Sequence, residues 1–151
     1  MSQENVEIAR RGYAVLNDAY RADDIDAFLP FLQEFWDPEV VFEPAGVLPE
    51  GPSAVQGWDG VLHFVGGQMQ AFEKGTMWME PLEYLDVGDR LVVPYRFGGR
   101  ARHTGIEMEF SFVHVFTMRD GKVVHAEALA TKREALEAVG LSEQDAHTDS
   151  T

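Results

Sequence analysis

Apolar and polar residues alternate along Glu107 to Met118 and again along Lys122 to Thr131, with Asp120-Gly121 between the two runs. An Asp-Gly pair flanked in this way predicts a tight antiparallel hairpin. Successive side chains on a strand point to opposite sides, so Phe110, Phe112, His114, Phe116 and Met118 share one face. A single imidazole therefore stands in a row of large apolar side chains. The turn leaves two registers open. A two-residue turn sets His114 opposite Glu127 and permits a His-Glu dyad. A three-residue turn with a bulge at Gly121 sets it opposite Ala126, so that Ala126, Ala128 and Ala130 line a pocket beside Phe112 and Phe116 and Glu127 faces outward. The second is preferred, because small alanines beside bulky phenylalanines leave room for a ligand.

Upstream the period changes. Val6, Ala9, Tyr13, Leu16 and Tyr20 recur at spacings of three and four, the stripe of an amphipathic helix. Ile25, Phe28, Leu29, Leu32 and Phe35 predict a second helix that Pro30 should kink or divide. A short strand is expected over Glu39 to Glu43, and the Pro- and Gly-rich stretch from Pro44 to Pro52 reads as a loop. Gly57 to Phe72 predicts a third helix. Thr76 to Val87 and Leu91 to Phe97 predict strands joined at Gly88-Asp89, and Gly98-Gly99 opens a loop into the long hairpin. Thr131 and Glu134 form a capping box before a last helix, which Gly140 ends. Helices segregated from a run of strands mean α+β: a curved antiparallel sheet forming a half-open cone, with helices packed on its concave face. Such a cone holds a pocket.

Composition narrows the function. With 151 residues the chain is expected to form one domain over 1–141, followed by a polar, disordered tail over 142–151. There is no cysteine, which excludes thiolate metal sites and cysteine nucleophiles. A net charge of −14 argues against a nucleic-acid partner. It also favours a neutral ligand, since an anion would need local positive charge. The N-terminus is polar, and no apolar run is long enough to span a bilayer, so no membrane partner and a cytoplasmic location are expected. The five histidines show no close pairing on one helix face or strand, so no metal is expected. No serine elbow is present.

Asp37-Pro-Glu-Val-Val-Phe-Glu-Pro44, Gly57 at the head of the third helix, and Arg119-Asp-Gly-Lys-Val123 leading into Arg133-Glu-Ala-Leu-Glu-Ala-Val-Gly-Leu141 occur in this order. In them the chain resembles the SnoaL-like, ketosteroid-isomerase-like branch of the nuclear transport factor 2-like superfamily. That superfamily includes isomerases, polyketide cyclases, dehydratases and non-catalytic scaffolds, so the resemblance fixes fold more closely than activity. In ketosteroid isomerases the base is an Asp directly before a proline, a place held here by Glu43-Pro44. Their oxyanion hole pairs a tyrosine with a protonated Asp. His114 stands at the Asp position, and Tyr13, with Tyr20 two turns on, is the counterpart of the tyrosine. The family's frequent Tyr-x-Asp at the end of the last strand is Leu129-Ala-Thr131 here.

The resemblance implies a cofactor-independent enzyme doing proton-transfer chemistry, of isomerase, cyclase or dehydratase type, on an apolar cyclic carbonyl compound. Glu43 would be the base, His114 the donor to the developing oxyanion and Tyr13 an auxiliary donor. Tyr20, Trp58, Phe112, Phe116, Ala126 and Ala128 would line the pocket. The alternatives are a non-catalytic small-molecule-binding module and a dimeric scaffold; a homodimer through the outer sheet face is what the resemblance implies.

Overall fold

The stripe carrying Tyr13, Leu16 and Tyr20 winds into α1 (Ser2–Ala22) in the computed structural model, which describes residues 2–44 and 54–141. The expected loop is thus described only at Pro44, and the expected tail lies outside the described residues. Pro30 divides the next segment as its missing N–H requires. A 3₁₀ turn (Ile25–Phe28) precedes α2 (Leu29–Phe35), where Pro30 sits in the first turn and leaves no helical bond unmade. Then come β1 (Trp36–Glu43), β2 (Val55–Gln56), α3 (Gly57–Met69), β3 (Trp78–Pro81), β4 (Leu85–Val87), β5 (Arg90–Arg100), β6 (Glu107–Arg119), β7 (Lys122–Leu129) and α4 (Lys132–Ala138). The Thr131 hydroxyl accepts the Glu134 N–H at 3.1 Å, so Thr131 caps the helix as its sequence predicts, while the Glu134 carboxylate accepts from the Thr131 hydroxyl at 3.3 Å rather than from its backbone N–H.

The strands make one mixed sheet in the order β2-β1-β7-β6-β5-β3, with β4 also on β5. The expected sheet was wholly antiparallel, but β1 runs parallel to β7. The single strand expected over Thr76 to Val87 is two, β3 and β4. Gly98 and Gly99 do not open a loop; both lie within β5. A Cβ on Gly98 would stand 2.2 Å from the Met108 carbonyl oxygen, and one on Gly99 would stand 2.8 Å from the Phe72 ring. These glycines allow close approach of neighbouring chain and ring, as glycines within strands commonly do.

Neither expected hairpin register is the one formed. Asp120 and Gly121 both have positive φ, 52° and 76°, and Arg119 pairs with Lys122, a two-residue turn. One residue of β7 is then inserted between the Thr117–His125 and Met118–Val123 pairs, at Val124. That bulge sets His114 opposite Ala128 and Phe116 opposite Ala126. Glu127 pairs with Val115 on the other face, so a His114-Glu127 dyad is excluded. Ala126 and Ala128 do face inward.

The inner face of the sheet and the helices enclose one large core that includes Tyr13, Tyr20, Leu32, Phe42, Tyr95 and Phe116. On the outer face Val92, Val113 and Val115 pack with Ala135 of α4. Arg90 holds this helix by donating to the Ala138 carbonyl, and Lys132 by pairing with Glu83. α4 thus covers Val92, Val113 and Val115 on the outer face.

Candidate functional site

Between α1, the 3₁₀ turn, α2, α3 and the inner sheet face lies a cavity of about 90 Å³. Its wall includes Leu16, Phe31, Trp36, Phe42, Phe64 and Phe116, and among the described residues no Asp, Glu, Lys or Arg lines it. Polar groups reach it from Tyr13 and Tyr20 on α1, Tyr95 on β5, His114 on β6, Gln68 on α3 and the Trp36 indole.

Two of these side chains meet. The Tyr13 hydroxyl lies 2.7 Å from His114 Nδ1, joining α1 to the middle of the sheet across the cavity. The imidazole is stacked on the Tyr95 ring, with centroids 3.9 Å apart and planes at 16°, and Phe116 lies 5.1 Å away. Burial among these rings lowers the His114 pKa to about 3, because the charged imidazolium would lose its hydration. Tyr13 is raised well above its ordinary value, first by burial and then by the nearby phenols of Tyr95, Tyr84 and Tyr20. Both partners are therefore neutral at physiological pH. Among the described residues Nε2 of His114 has no protein hydrogen-bond partner, and His114 lines the cavity.

A neutral Tyr-His pair has two proton arrangements. If Tyr13 donates to Nδ1, Nε2–H is offered to a ligand oxygen. If Nδ1–H donates to Tyr13, Nε2 presents a lone pair and the Tyr13 hydroxyl hydrogen is free to point at the ligand. One pair can thus act as donor alone, or as base and donor together.

The other expected site residues are placed differently. Glu43 does not enter the cavity. Alternation along β1 turns the buried Phe42 inward and Glu43 outward, where its carboxylate meets His125 Nε2 at 2.5 Å and stays 45% exposed. Glu127 adjoins this pair across β1 and β7; partial burial raises its pKa, and Glu43 adds to that while His125 and Arg90 oppose it. Tyr20 and Phe116 line the cavity as expected. Trp58 does not, because its indole N–H is bonded to the Trp36 carbonyl at 2.9 Å, tying the start of α3 to β1. Ala126 and Ala128 face inward but are sealed, at 0% and 1% exposed, beneath the larger side chains around them. Phe112 lines a separate open groove of about 560 Å³ with Met108, Phe110 and Phe72; this groove shares Phe64, Gln68 and Phe97 with the cavity.

Three contributors carry no sequence signal of chemistry. Tyr95 reads only as a core or lining aromatic, yet its ring is the platform for His114. Gln68 is a polar position on an apolar helix. Asn17 lies beside the apolar stripe of α1, and its amide donates to the Tyr13 and Met79 carbonyls at 2.9 and 2.8 Å. Its oxygen in turn accepts the Met79 N–H at 2.8 Å. It serves the edge strand β3 as a missing partner and so fixes the turn of α1 that presents Tyr13. Alternation of Leu91, Val93, Tyr95 and Phe97 along β5 is the one pattern that would have set Tyr95 on the His114 face.

The SnoaL-like domain family matches residues 10–126. The chain belongs to that family. Among curated proteins, none matches its sequence. Of solved structures, TerC co-crystallised with polyporic acid is 27% identical, with a TM-score of 0.65 over 90% of this chain and 98% of TerC. A protein of Jannaschia sp. CCS1, provisionally named a SnoaL-like polyketide cyclase, is 20% identical, with a TM-score of 0.67 over 91% of this chain and 92% of its own. A provisionally named isomerase of Bacillus subtilis is 17% identical, with a TM-score of 0.64 over 91% and 92%. At these identities the last two show a shared fold: the nuclear transport factor 2-like α+β cone. Among the described residues no cluster of His, Asp or Glu could hold a metal ion, and no helix is long and apolar enough to cross a membrane.

Proposed function

We propose that this SnoaL-like protein is a small cofactor-independent enzyme that moves a proton on a neutral, apolar, cyclic carbonyl compound, in an isomerase, cyclase or dehydratase type of reaction. The observation that carries the reading is the 2.7 Å contact between Tyr13 and His114 within a cavity wall to which, among the described residues, no charged side chain contributes. Such a wall suits an uncharged substrate, and His114 is the side chain there best able to accept a proton. The names of the similar cyclase and isomerase are in keeping with this chemistry.

In the reactive arrangement Nδ1–H donates to Tyr13, the Tyr13 hydroxyl donates to the substrate carbonyl oxygen, and Nε2 takes the proton from the adjacent carbon. A resting pKa of about 3 makes His114 a weak base. The enolate formed beside it is anionic, and in an apolar cavity that charge stabilises the imidazolium strongly. Returning the proton to a different carbon completes an isomerisation. Attack of the enolate carbon on a second carbonyl, with the proton delivered to the new alkoxide, completes a cyclisation. Glu43 has no part in this scheme.

The test is exchange of the C2 hydrogens of 1-tetralone in D2O, followed by mass spectrometry. General acid-base catalysis contributes typically about 10²–10⁴-fold, so His114→Gln should reduce the exchange rate by about that factor. Undiminished exchange in His114→Gln would sink the assignment. The same weak resting basicity, with no carboxylate on the wall among the described residues, favours a second reading as a non-catalytic binding module. Saturable binding of the ketone without exchange above background would establish that one instead.

A further inference from the structure

Tyr20 is 1% exposed and lines the cavity, and its hydroxyl has no hydrogen-bond partner among the described residues. Buried polar groups are rarely left so, and each exception calls for a physical account. An ordered water would need two to four polar partners of its own. The polar groups available on this wall are few: the Tyr13 hydroxyl is engaged with His114, which leaves His114 Nε2, Tyr95, Gln68 and the Trp36 indole, spread among aliphatic and aromatic side chains. A ligand oxygen, carried into the cavity on an apolar ring, meets the need without further partners.

Tyr20 follows Tyr13 by two turns on the same face of α1, which separates their backbones by about 10.5 Å at the helical rise. The two side chains thus enter the cavity from positions two turns apart on α1. We infer that Tyr20 is a specificity-determining contact for a second oxygen of the substrate, placed across the ring system from the carbonyl that meets Tyr13 and His114. The substrate class is thereby an apolar cyclic compound oxygenated at both ends. This inference rests on the ligand occupying the cavity as proposed above, and it adds a contact to which the proton transfer is indifferent.

The experiment compares binding of 1-tetralone and 6-hydroxy-1-tetralone, which differ by one hydroxyl remote from the ketone, to the full chain by isothermal titration calorimetry. A net hydrogen bond predicts that the wild type binds the hydroxylated probe roughly three- to tenfold more tightly. In Tyr20→Phe the two affinities should become equal while that for 1-tetralone stays within about twofold of wild type. Equal affinities in the wild type, a preference that survives in Tyr20→Phe, or failure of both probes to bind would overturn the inference. Deuterium exchange at C2, read on the same samples, separates the two claims. Lost preference with exchange intact removes only the Tyr20 contact; a Tyr20-dependent preference without exchange removes only the catalytic reading.

Discussion

Tyr13 and Tyr20 sit on one face of one helix, both almost fully buried, yet removing their hydroxyls should move stability in opposite directions. Phenylalanine keeps the ring in each case, including the edge contact of Tyr13 with Phe116 at 6.4 Å. In Tyr13→Phe the partner of His114 Nδ1 is lost, and an imidazole nitrogen is left facing a ring edge. Leaving a buried polar atom unsatisfied costs about 1–3 kcal/mol. In Tyr20→Phe the group removed is itself unsatisfied, so a desolvation cost of about the same size, 1–3 kcal/mol, is relieved. Urea unfolding without added ligand, read by tryptophan fluorescence, would show the midpoints displaced to either side of wild type with an unchanged slope. In a domain of this size each kcal/mol corresponds to about 2–4 °C in Tm. If Tyr20→Phe were destabilised as much as Tyr13→Phe, the Tyr20 hydroxyl would have a partner in solution and the reasoning would fail. An unchanged Tyr13→Phe would show that the Tyr13-His114 bond contributes nothing.

Other outcomes follow from the same geometry. His114 binds its proton near pH 3 in the folded chain but near its ordinary value of about 6.5 when unfolded. Between those values the unfolded state holds the extra proton, so stability should fall as pH drops from 6.5 to 3; His114→Phe should flatten that slope, and NMR of wild type should show one imidazole still neutral at pH 5. Glu43→Gln breaks only a half-exposed pair with His125, so it should leave tetralone exchange at the wild-type rate and cost under about 1 kcal/mol in urea unfolding. Gly98→Ala forces a methyl onto the Met108 carbonyl oxygen, and the required shift of β6 against β5 should cost about 1–3 kcal/mol by the same assay; a neutral result would mean the strands separate there with ease.

Much of the cone was legible because periodicity and caps act locally. Alternation along β6 placed Phe112, His114 and Phe116 on one face, and the Thr131 capping box and Gly140 marked the last helix at both ends. The register of His114 was not legible, since the bulge at Val124 lies among residues that fit a regular strand equally well, and one inserted residue moves every pair beyond it. Parallel pairing of β1 with β7 joins segments far apart in sequence and has no local signature. Glu43 is the instructive case. Its alternation with the apolar Phe42 already set it on the outer face, and the position it shares with the base of ketosteroid isomerases pointed the other way; the strand's own pleat decided. Trp58, expected on the pocket wall, is held to β1 instead, while Tyr95, read as core or lining, also carries the imidazole. Residue type alone does not say whether an aromatic is held by its N–H to a neighbouring strand or stacked beneath an imidazole.

The Asn17 amide clasps both the backbone of α1 at Tyr13 and the edge of β3 at Met79. Mechanically this makes α1 and that margin of the sheet a single jaw, because rolling the helix away would break both hydrogen bonds between Asn17 and Met79. The opposite jaw is α3, where Phe64 and Gln68 border both the cavity and the groove, and among the described residues no side-chain hydrogen bond holds them. Phe64 and Gln68 thus stand on the boundary that a ligand would cross between the groove and the cavity.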